Sequence, residues 1–223
     1  MARHAHAQED KLARRNVILG AARRLFAAGD GELPSVADIA AEAQLAKGTL
    51  YLYFKTREEI FCELSVEMWL DLLGKVDAAF RGARGTRAAK IEAHLDQMAR
   101  HLGDQPEILR LDALGYSLRQ NVEPARRYEQ NHRFVMRLTE VGATVDRVLR
   151  LPQGRGVRVL MRSYALIRGL WQTAPQQTDA ALQADPDLSA IFPDFTVELH
   201  ESLTEYWRGA VAPARARANT APR

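Results

Sequence analysis

The segment from Ser35 to Phe54, SVADIAAEAQLAKGTLYLYF, holds residues whose types and spacing suit chemistry on a polyanion. It predicts two short helices joined by a tight turn near residues 43–45. With 100° per residue, an arc of about 140° on the second helix carries Lys47, Gly48, Tyr51 and Leu52. This face offers a cation to a phosphate or guanine edge and an apolar tip to a thymine methyl. Helix-turn-helix units place their second helix in the DNA major groove in this way.

Other residues of the same segment fit contacts with a nucleic-acid backbone. Thr49, Tyr51 and Tyr53 carry hydroxyls that can donate to phosphate oxygens, and Lys55 precedes a helix N-terminus, where phosphates bind. Gly48 costs a helix about 1 kcal/mol relative to alanine, which a close approach of its backbone to DNA would explain. Leu50 and Phe54 are predicted to be core residues, and Ala46 lies on the same side as Leu50.

The same pattern has a purely structural interpretation. All-α proteins contain helix-turn-helix corners that never touch nucleic acid, and isolated lysines are commonly solvated. Aromatic residues at helical spacing more often fill a core than contact a partner. Geometry alone therefore leaves DNA binding and simple helix packing open.

The rest of the chain also has helical periodicity. Apolar stripes predict further helices near residues 9–28, 56–80, 86–102, 106–120, 124–150, 154–172 and 194–209. With the two short helices of residues 35–54, about nine helices are predicted. Ser35 with Asp38 and Thr56 with Glu59 form capping-box patterns, and Asp194 is a further N-cap. Residues 173–193 read as a loop. No alternating strand pattern occurs, so the fold class is all-α.

Charge is uneven along the 223 residues although the net charge is only +3. Residues 1–57 carry nine Lys or Arg and six Asp or Glu, and the tail from Arg208 to Arg223 has four Arg and no acid. A basic N-terminal segment favours a polyanionic partner. No apolar run is long enough for a membrane span, no secretory signal is evident, and the single Cys62 fits a reducing cytosol. We therefore expect a cytoplasmic protein without a membrane partner.

The stretch ILGAARRLFAAGDGELPSVADIAAEAQLAKGTLYLYFKTREEIF resembles the N-terminal domain of the TetR (AcrR-like) family of bacterial transcriptional regulators. The shared features are A-x-x-L-F at residues 22–26, S-V-A-D-I-A at 35–40 and G-T-L-Y-x-Y-F at 48–54. K-x-x-E-E-I follows directly at 55–60. Arg57 occupies the usual lysine position.

The resemblance implies a DNA-binding domain at residues 12–72 and a helical ligand-binding and dimerisation domain at 73–210, followed by a disordered tail at 211–223. It implies a homodimeric repressor that leaves operator DNA when a small molecule binds. The DNA contacts that it carries over are Ser35, Ala46, Lys47, Gly48, Thr49, Tyr51, Tyr53 and Lys55. Ala46 is small where many relatives have a hydroxyl.

Several further expectations concern the body of the protein. Trp69, Tyr116, Phe134 and Trp171 lie on different predicted helices and either line a ligand cavity or fill the core. The last two helices, with Leu199 and Leu203, are predicted to form the dimer interface. The histidines and Cys62 suggest no metal, cofactor or catalytic site. A helical protein that binds DNA without ligand control remains the alternative to a ligand-responsive regulator, and an enzyme is the remote one.

Overall fold

The computed structural model describes residues 2–174 and 194–212. Within these residues all regular structure is helical and there is no strand, which confirms the all-α class. The described helices are α1 (Ala2–Ala28), α2 (Val36–Glu42), α3 (Lys47–Tyr51), α4 (Arg57–Gly82), α5 (Arg87–Asp104), α6 (Glu107–Ala113), α7 (Gly115–Gln120), α8 (Pro124–Leu149), α9 (Arg155–Thr173) and α10 (Phe195–Ala210).

Two helix boundaries differ from the expectation. Helix α1 begins at Ala2 rather than near residue 9. The predicted helix that ends near residue 120 is two short helices, because the chain tightens at Leu114, whose N–H bonds the carbonyl of Leu111 only three residues back. The predicted loop from residue 175 to 193 and the tail from 213 onward lie outside the described residues.

The chain divides into two compact units. Unit 1 contains Met1–Val76 and Arg100–Glu140, and unit 2 contains Asp77–Ala99 and Val141–Arg223. Helices α4, α5 and α8 contribute residues to both units. The domain boundaries predicted from the sequence stay a prediction.

The core of unit 1 joins the first four helices. Ile18 of α1, Ile39 of α2 and Leu50 of α3 are all fully buried. The rings of Phe26 on α1 and Phe61 on α4 meet with centroids 5.8 Å apart. Complete burial of such side chains stabilises the fold by roughly 1.5–3 kcal/mol each. Helices α2 and α3 are too short to be stable alone, so this packing holds them in place.

Helices α8 and α9 cross very closely in unit 2. A Cβ atom added at Gly156 would lie 2.2 Å from the carbonyl oxygen of Gly142, so only glycine fits there. The turn before α9 is fixed by Asp146, whose carboxylate accepts the backbone N–H groups of Gly154 and Gly156 at 2.6 Å each. This acid both closes the turn and satisfies the start of α9.

The predicted place of Leu199 and Leu203 in a dimer interface is wrong. Both side chains are fully buried within the chain itself, and α10 packs against α9. The apolar stripe of α10 is thus used inside unit 2. A stripe of leucines shows only that a face is covered, and here residues of the same protomer cover it.

An aromatic cluster around His94 completes the core of unit 2. Phe80 stacks on Trp207 with ring centroids 5.8 Å apart, and the His94 imidazole lies between them at 4.7 and 5.2 Å. The indole N–H of Trp207 donates to the hydroxyl of Ser163 at 2.9 Å. Burial disfavours the charged imidazole and lowers the pKa of His94 to about 4.

We expect the buried His94 to make the chain less stable in mild acid. The unfolded chain takes up a proton near pH 6.5, whereas the folded chain resists it down to about pH 4, so this stability is complete above pH 6.5 and is lost as the pH falls. Chemical denaturation at pH 7 and pH 5 should show a loss of about 2 kcal/mol from this residue. His94→Leu should remove that loss. Leucine at the exposed His132 is the control, and an equally steep dependence in both variants would contradict the assignment.

Candidate nucleic-acid interface

The α2-turn-α3 unit is defined by its caps. The Ser35 hydroxyl accepts the N–H of Asp38 at 3.2 Å, and the Asp38 carboxylate accepts the N–H of Ser35 at 3.3 Å, which confirms the predicted capping box. Gln44 has a φ of 55°, in the left-handed region, and the N–H of Leu45 closes the turn on the Ala40 carbonyl at 2.9 Å. The turn therefore lies where the sequence predicts it.

The two sides of α3 differ sharply in exposure. Leu50 and Phe54 are buried, as predicted. The opposite side presents an exposed recognition face, with Leu52 78% exposed and Tyr51 47% exposed, formed by Lys47, Gly48, Tyr51 and Leu52. A cation, an open backbone position, a phenol and an apolar tip thus share one surface, which matches what a major groove offers.

The remaining predicted contact residues surround that face. Ala46, on the same predicted side as the buried Leu50, is exposed as the N-cap of α3 and makes no side-chain cap. Ser35 is exposed, but its hydroxyl is bonded to Asp38 at 2.6 Å. Thr49 and Tyr53 are half-buried. Their roles as DNA contacts stay a prediction.

The two lysines of the interface have different surroundings. Lys47 makes no ion pair with any residue that the structure describes. The ammonium of Lys55 lies 2.7 Å from the Glu123 carboxylate, and this hydrogen bond holds the pKa of Glu123 below its ordinary value. Because both partners are exposed, the pair is weak and a phosphate can compete for Lys55.

A buried polar cluster joins α1, α4 and α8. The carboxylate of Glu63 on α4 pairs with Arg15 of α1 and Arg133 of α8 and accepts the amide N–H of Gln130 at 2.9 Å. Burial alone would raise the pKa of Glu63, but Gln130 and the two guanidinium groups outweigh it and hold that pKa low. The Arg15 guanidinium also lies 5.7 Å from the centre of the ring of Phe54, the last residue of the segment Ser35–Phe54.

This Glu63 cluster was missed at the level of sequence, although it leaves a pattern there. Glu59, Glu63 and Glu67 recur every four residues on α4, and cationic or amide residues recur on α8. The resulting contacts are Arg126 with Glu59 at 3.2 Å, Gln130 and Arg133 with Glu63, and Arg133 with Glu67. Matching ladders of this kind on two helices indicate that the helices pack side by side.

The four aromatic residues predicted to line a ligand cavity have unlike surroundings. Trp69 is buried and its indole N–H donates to the Asp112 carboxylate at 3.1 Å. Tyr116 is 81% exposed, and Phe134 is half-buried. Trp171 lies in unit 2, with its ring edge-on to Phe195 at 5.1 Å. Their common role as a pocket lining stays a prediction.

Unit 1 contains two cavities of different kinds. One is partly open, has a volume of about 20 Å³ and is bordered by α4, α7 and α8 through residues such as Cys62, Leu118 and Gln130. The other is open, has a volume of about 380 Å³ and is bordered by Leu33, Arg57, Leu114 and again Leu118. None of the four predicted aromatic residues lines either of these two cavities.

The described residues contain neither a group of possible metal ligands nor a helix that could span a membrane. Within 2–174 and 194–212, no three His, Cys, Asp or Glu side chains are grouped closely enough to hold a metal ion. Over the same ranges, no helix has the length and apolar character needed to cross a bilayer. Cys62 is buried, and this burial raises the pKa of its thiol to about 11.

Comparisons with known families identify the chain. Residues 18–64, which include the α2-turn-α3 unit, match the bacterial regulatory proteins of the tetR family, and residues 66–214 match the tetracyclin repressor-like C-terminal domain. The chain belongs to the TetR family. The second match alone spans more than half of the sequence, and together the two account for both parts of a TetR regulator. Transcription regulation through DNA binding is therefore the function class of this TetR protein.

Solved structures share the TetR fold with this chain. A TetR transcriptional regulator from Rhodococcus sp. RHA1 has a TM-score of 0.57 and 15% identity over 92% of this chain and 100% of that one. FadR from Bacillus subtilis, solved with stearoyl-CoA, has a TM-score of 0.51 and 20% identity over 85% and 97%. FadR from Bacillus halodurans has a TM-score of 0.52 and 18% identity over 85% and 97%. No curated protein matches the chain in sequence.

We expect Gly48→Ala to separate DNA affinity from stability. A Cβ at Gly48 meets nothing within 4 Å in the protein, and alanine favours the helix by about 1 kcal/mol, so thermal unfolding should occur at the same or a higher temperature. If DNA approaches the Gly48 backbone closely, affinity for a duplex selected by binding should fall about tenfold or more. Gly82→Ala, also in open space but on α4, is the control. Unchanged affinity of the Gly48 variant would contradict the close approach.

Proposed function

We propose that this TetR protein is a homodimeric repressor that binds operator DNA through α3 and is released from it by a small molecule. The observation that carries the proposal is the recognition face, where Lys47, Gly48, Tyr51 and Leu52 are exposed on a helix whose other side is fixed by Leu50 and Phe54. Direct readout in the major groove requires a helix in a fixed position that presents both polar and apolar side chains to the base edges.

The proposed contacts divide into two classes. Contacts with phosphates position the protein, and those proposed here are Thr49, Tyr51, Tyr53 and Lys55. Contacts with base edges specify the sequence, and Leu52 is suited to a thymine methyl, while Lys47 can reach a phosphate or a guanine edge. Ser35 and Ala46 complete the proposed set near the two helix starts. Because the proposed partner is bacterial operator DNA, we propose that the protein works in the cytoplasm.

The α9 surface supports the proposed dimer. Exposed Met161, Ala165 and Gly169 recur every four residues and form a strip of mostly small side chains on which a second helix can approach closely. Exposed Arg158 and Arg162 border this strip. On α10, exposed Glu201 and Glu205 have the same spacing, so a two-fold related copy can offer acids to these arginines.

The shared fold supports the proposed release from DNA by a small molecule. FadR from Bacillus subtilis was solved with stearoyl-CoA, and it shares the fold of this chain. The small cavity among α4, α7 and α8 is bordered by Asp112, which accepts the indole N–H of Trp69, and by Gln130, which donates to Glu63. Its volume of about 20 Å³ admits little more than one water molecule, so we propose that the regulating molecule binds beside Trp69 by widening this space.

The function is tested by letting the full chain select duplexes from random-sequence DNA. We expect enrichment of an inverted repeat whose half-sites are about one helical turn, or a multiple of it, apart. Lys47→Ala should weaken binding to that DNA and reduce the slope of log affinity against log salt by about one, because one phosphate contact is lost. Glu123→Gln, which frees Lys55, should strengthen binding.

The outcomes of this selection are distinct. Failure to enrich any sequence would contradict the proposed function. An enriched sequence to which Lys47→Ala binds with unchanged affinity and salt slope would show that α3 is not the reading element. Arg147→Ala, at an exposed position on α8, is the charge-matched control.

We expect Gly169→Arg to produce monomers without unfolding the protomer. A Cβ at Gly169 meets nothing within 4 Å in the chain, so the new side chain is accommodated in an isolated protomer but obstructs a helix docked on the α9 strip. Sedimentation at micromolar protein should give a dimer for the parent chain and for Gly82→Arg, and a monomer for Gly169→Arg. A dimeric Gly169→Arg would place the interface elsewhere. Substitution of Leu199 or Leu203 would instead unfold unit 2.

A further inference from the structure

The start of α8 contacts the connection between α3 and α4 at two points. Glu123 immediately precedes α8 and Arg126 lies in its first turn, so the two residues are three positions apart and face the same side. Arg126 pairs with Glu59 at 3.2 Å, and Glu123 pairs with Lys55 at 2.7 Å. The first contact is largely buried on the Glu59 side and the second is exposed, so the two act on Lys55 in different ways.

The contact of Arg126 fixes the backbone at Lys55. The side chain of Glu59 is 8% exposed, and its carboxylate accepts the backbone N–H of Lys55 at 2.8 Å. The Thr56 hydroxyl accepts the N–H of Glu59 at 3.0 Å and donates to the carbonyl of Asn121 at 3.4 Å. A nearly buried carboxylate needs a compensating charge, which Arg126 supplies. Arg126 therefore holds Glu59 in the position from which it orients the start of α4.

The contact of Glu123 acts on the side chain of Lys55. The Lys55 side chain is 68% exposed, and its ammonium donates to the Glu123 carboxylate at 2.7 Å. This hydrogen bond lowers the pKa of Glu123, so the carboxylate stays ionised at neutral pH. A DNA phosphate offers the ammonium the same kind of acceptor. Because a phosphate and an ionised carboxylate repel each other, Lys55 cannot hold both without a cost in free energy.

We propose that Arg126 is a positioning residue for DNA binding and that Glu123 is an internal competitor of the operator phosphate at Lys55. This inference rests on the proposed function, because it concerns a phosphate contact of the proposed operator complex. Arg126 favours DNA binding by fixing the backbone that carries Lys55. Glu123 opposes DNA binding, because its pair with Lys55 must break before a phosphate takes its place.

The competition is tested by a double-mutant cycle, measured as the operator affinity of the full chain at fixed salt. An exposed ion pair is weak, so we expect Glu123→Gln to increase the affinity by only about threefold. In a Lys55→Ala background the same substitution should have no effect, because the competitor has no ammonium to hold. Glu140→Gln, at another exposed acid of α8, is the control and should have the same small effect in both backgrounds.

The positioning role is tested in the same two backgrounds. Arg126→Gln should lower the operator affinity about threefold, and Arg126→Lys should restore most of it, because a cation again lies beside Glu59. Without Lys55, the loss caused by Arg126→Gln should disappear. Arg147→Gln, at an exposed arginine of α8, should have an effect that does not depend on Lys55. The cycle with Glu123 does not require any Arg126 variant to fold.

The outcomes separate this inference from the proposed function. An increase from Glu123→Gln that is equally large without Lys55, or a loss from Arg126→Gln that persists without Lys55, would overturn the inference. If the full chain still selects an operator in those cases, the proposed function stands. If no operator is selected, the proposed function fails. The cycle can then be run on mixed-sequence DNA at low salt, because phosphate contacts carry no sequence information.

Discussion

The buried carboxylate of Glu63 is the interaction on which the arrangement of unit 1 depends. An isolated charge in a protein interior is very unfavourable, so Glu63 requires partners on every side. It finds them in Arg15 of α1 and in Gln130 and Arg133 of α8. Because these partners come from different helices, moving any one of them leaves a buried charge less well compensated. The cluster therefore fixes α1, α4 and α8 in one arrangement.

The position of α3 depends on this arrangement. Helix α3 has five residues, too few to be stable alone, and its buried Leu50 and nearby Phe54 bind it to the rest of unit 1. Arg15 connects the two levels, since its guanidinium pairs with Glu63 and lies over the Phe54 ring. The Glu63 cluster is thus connected through Arg15 to Phe54, which follows the exposed face of α3.

Local sequence signals predicted the parts of the fold that depend on nearby residues. The Ser35–Asp38 capping box, the turn near Gln44 and the buried Leu50 all follow from short-range patterns. Leu199 and Leu203 were assigned to the wrong surface, because an apolar stripe does not reveal which helix covers it. The Glu63 cluster depends on residues 48 or more positions apart along the chain, beyond the reach of such patterns. The pairing of Lys55 with Glu123 has the same long-range origin.

The central claim is that the exposed side of α3 lies in the major groove of each half-site. It is tested most directly by DNA cleavage from an iron chelate attached to Leu52→Cys, at a position that is 78% exposed. The native Cys62 is buried with a thiol pKa of about 11 and should not react with the label. On the selected operator, we expect strand cleavage at one major-groove position in each half-site, related by the two-fold axis. Tight binding without cleavage in either half-site would contradict the claim.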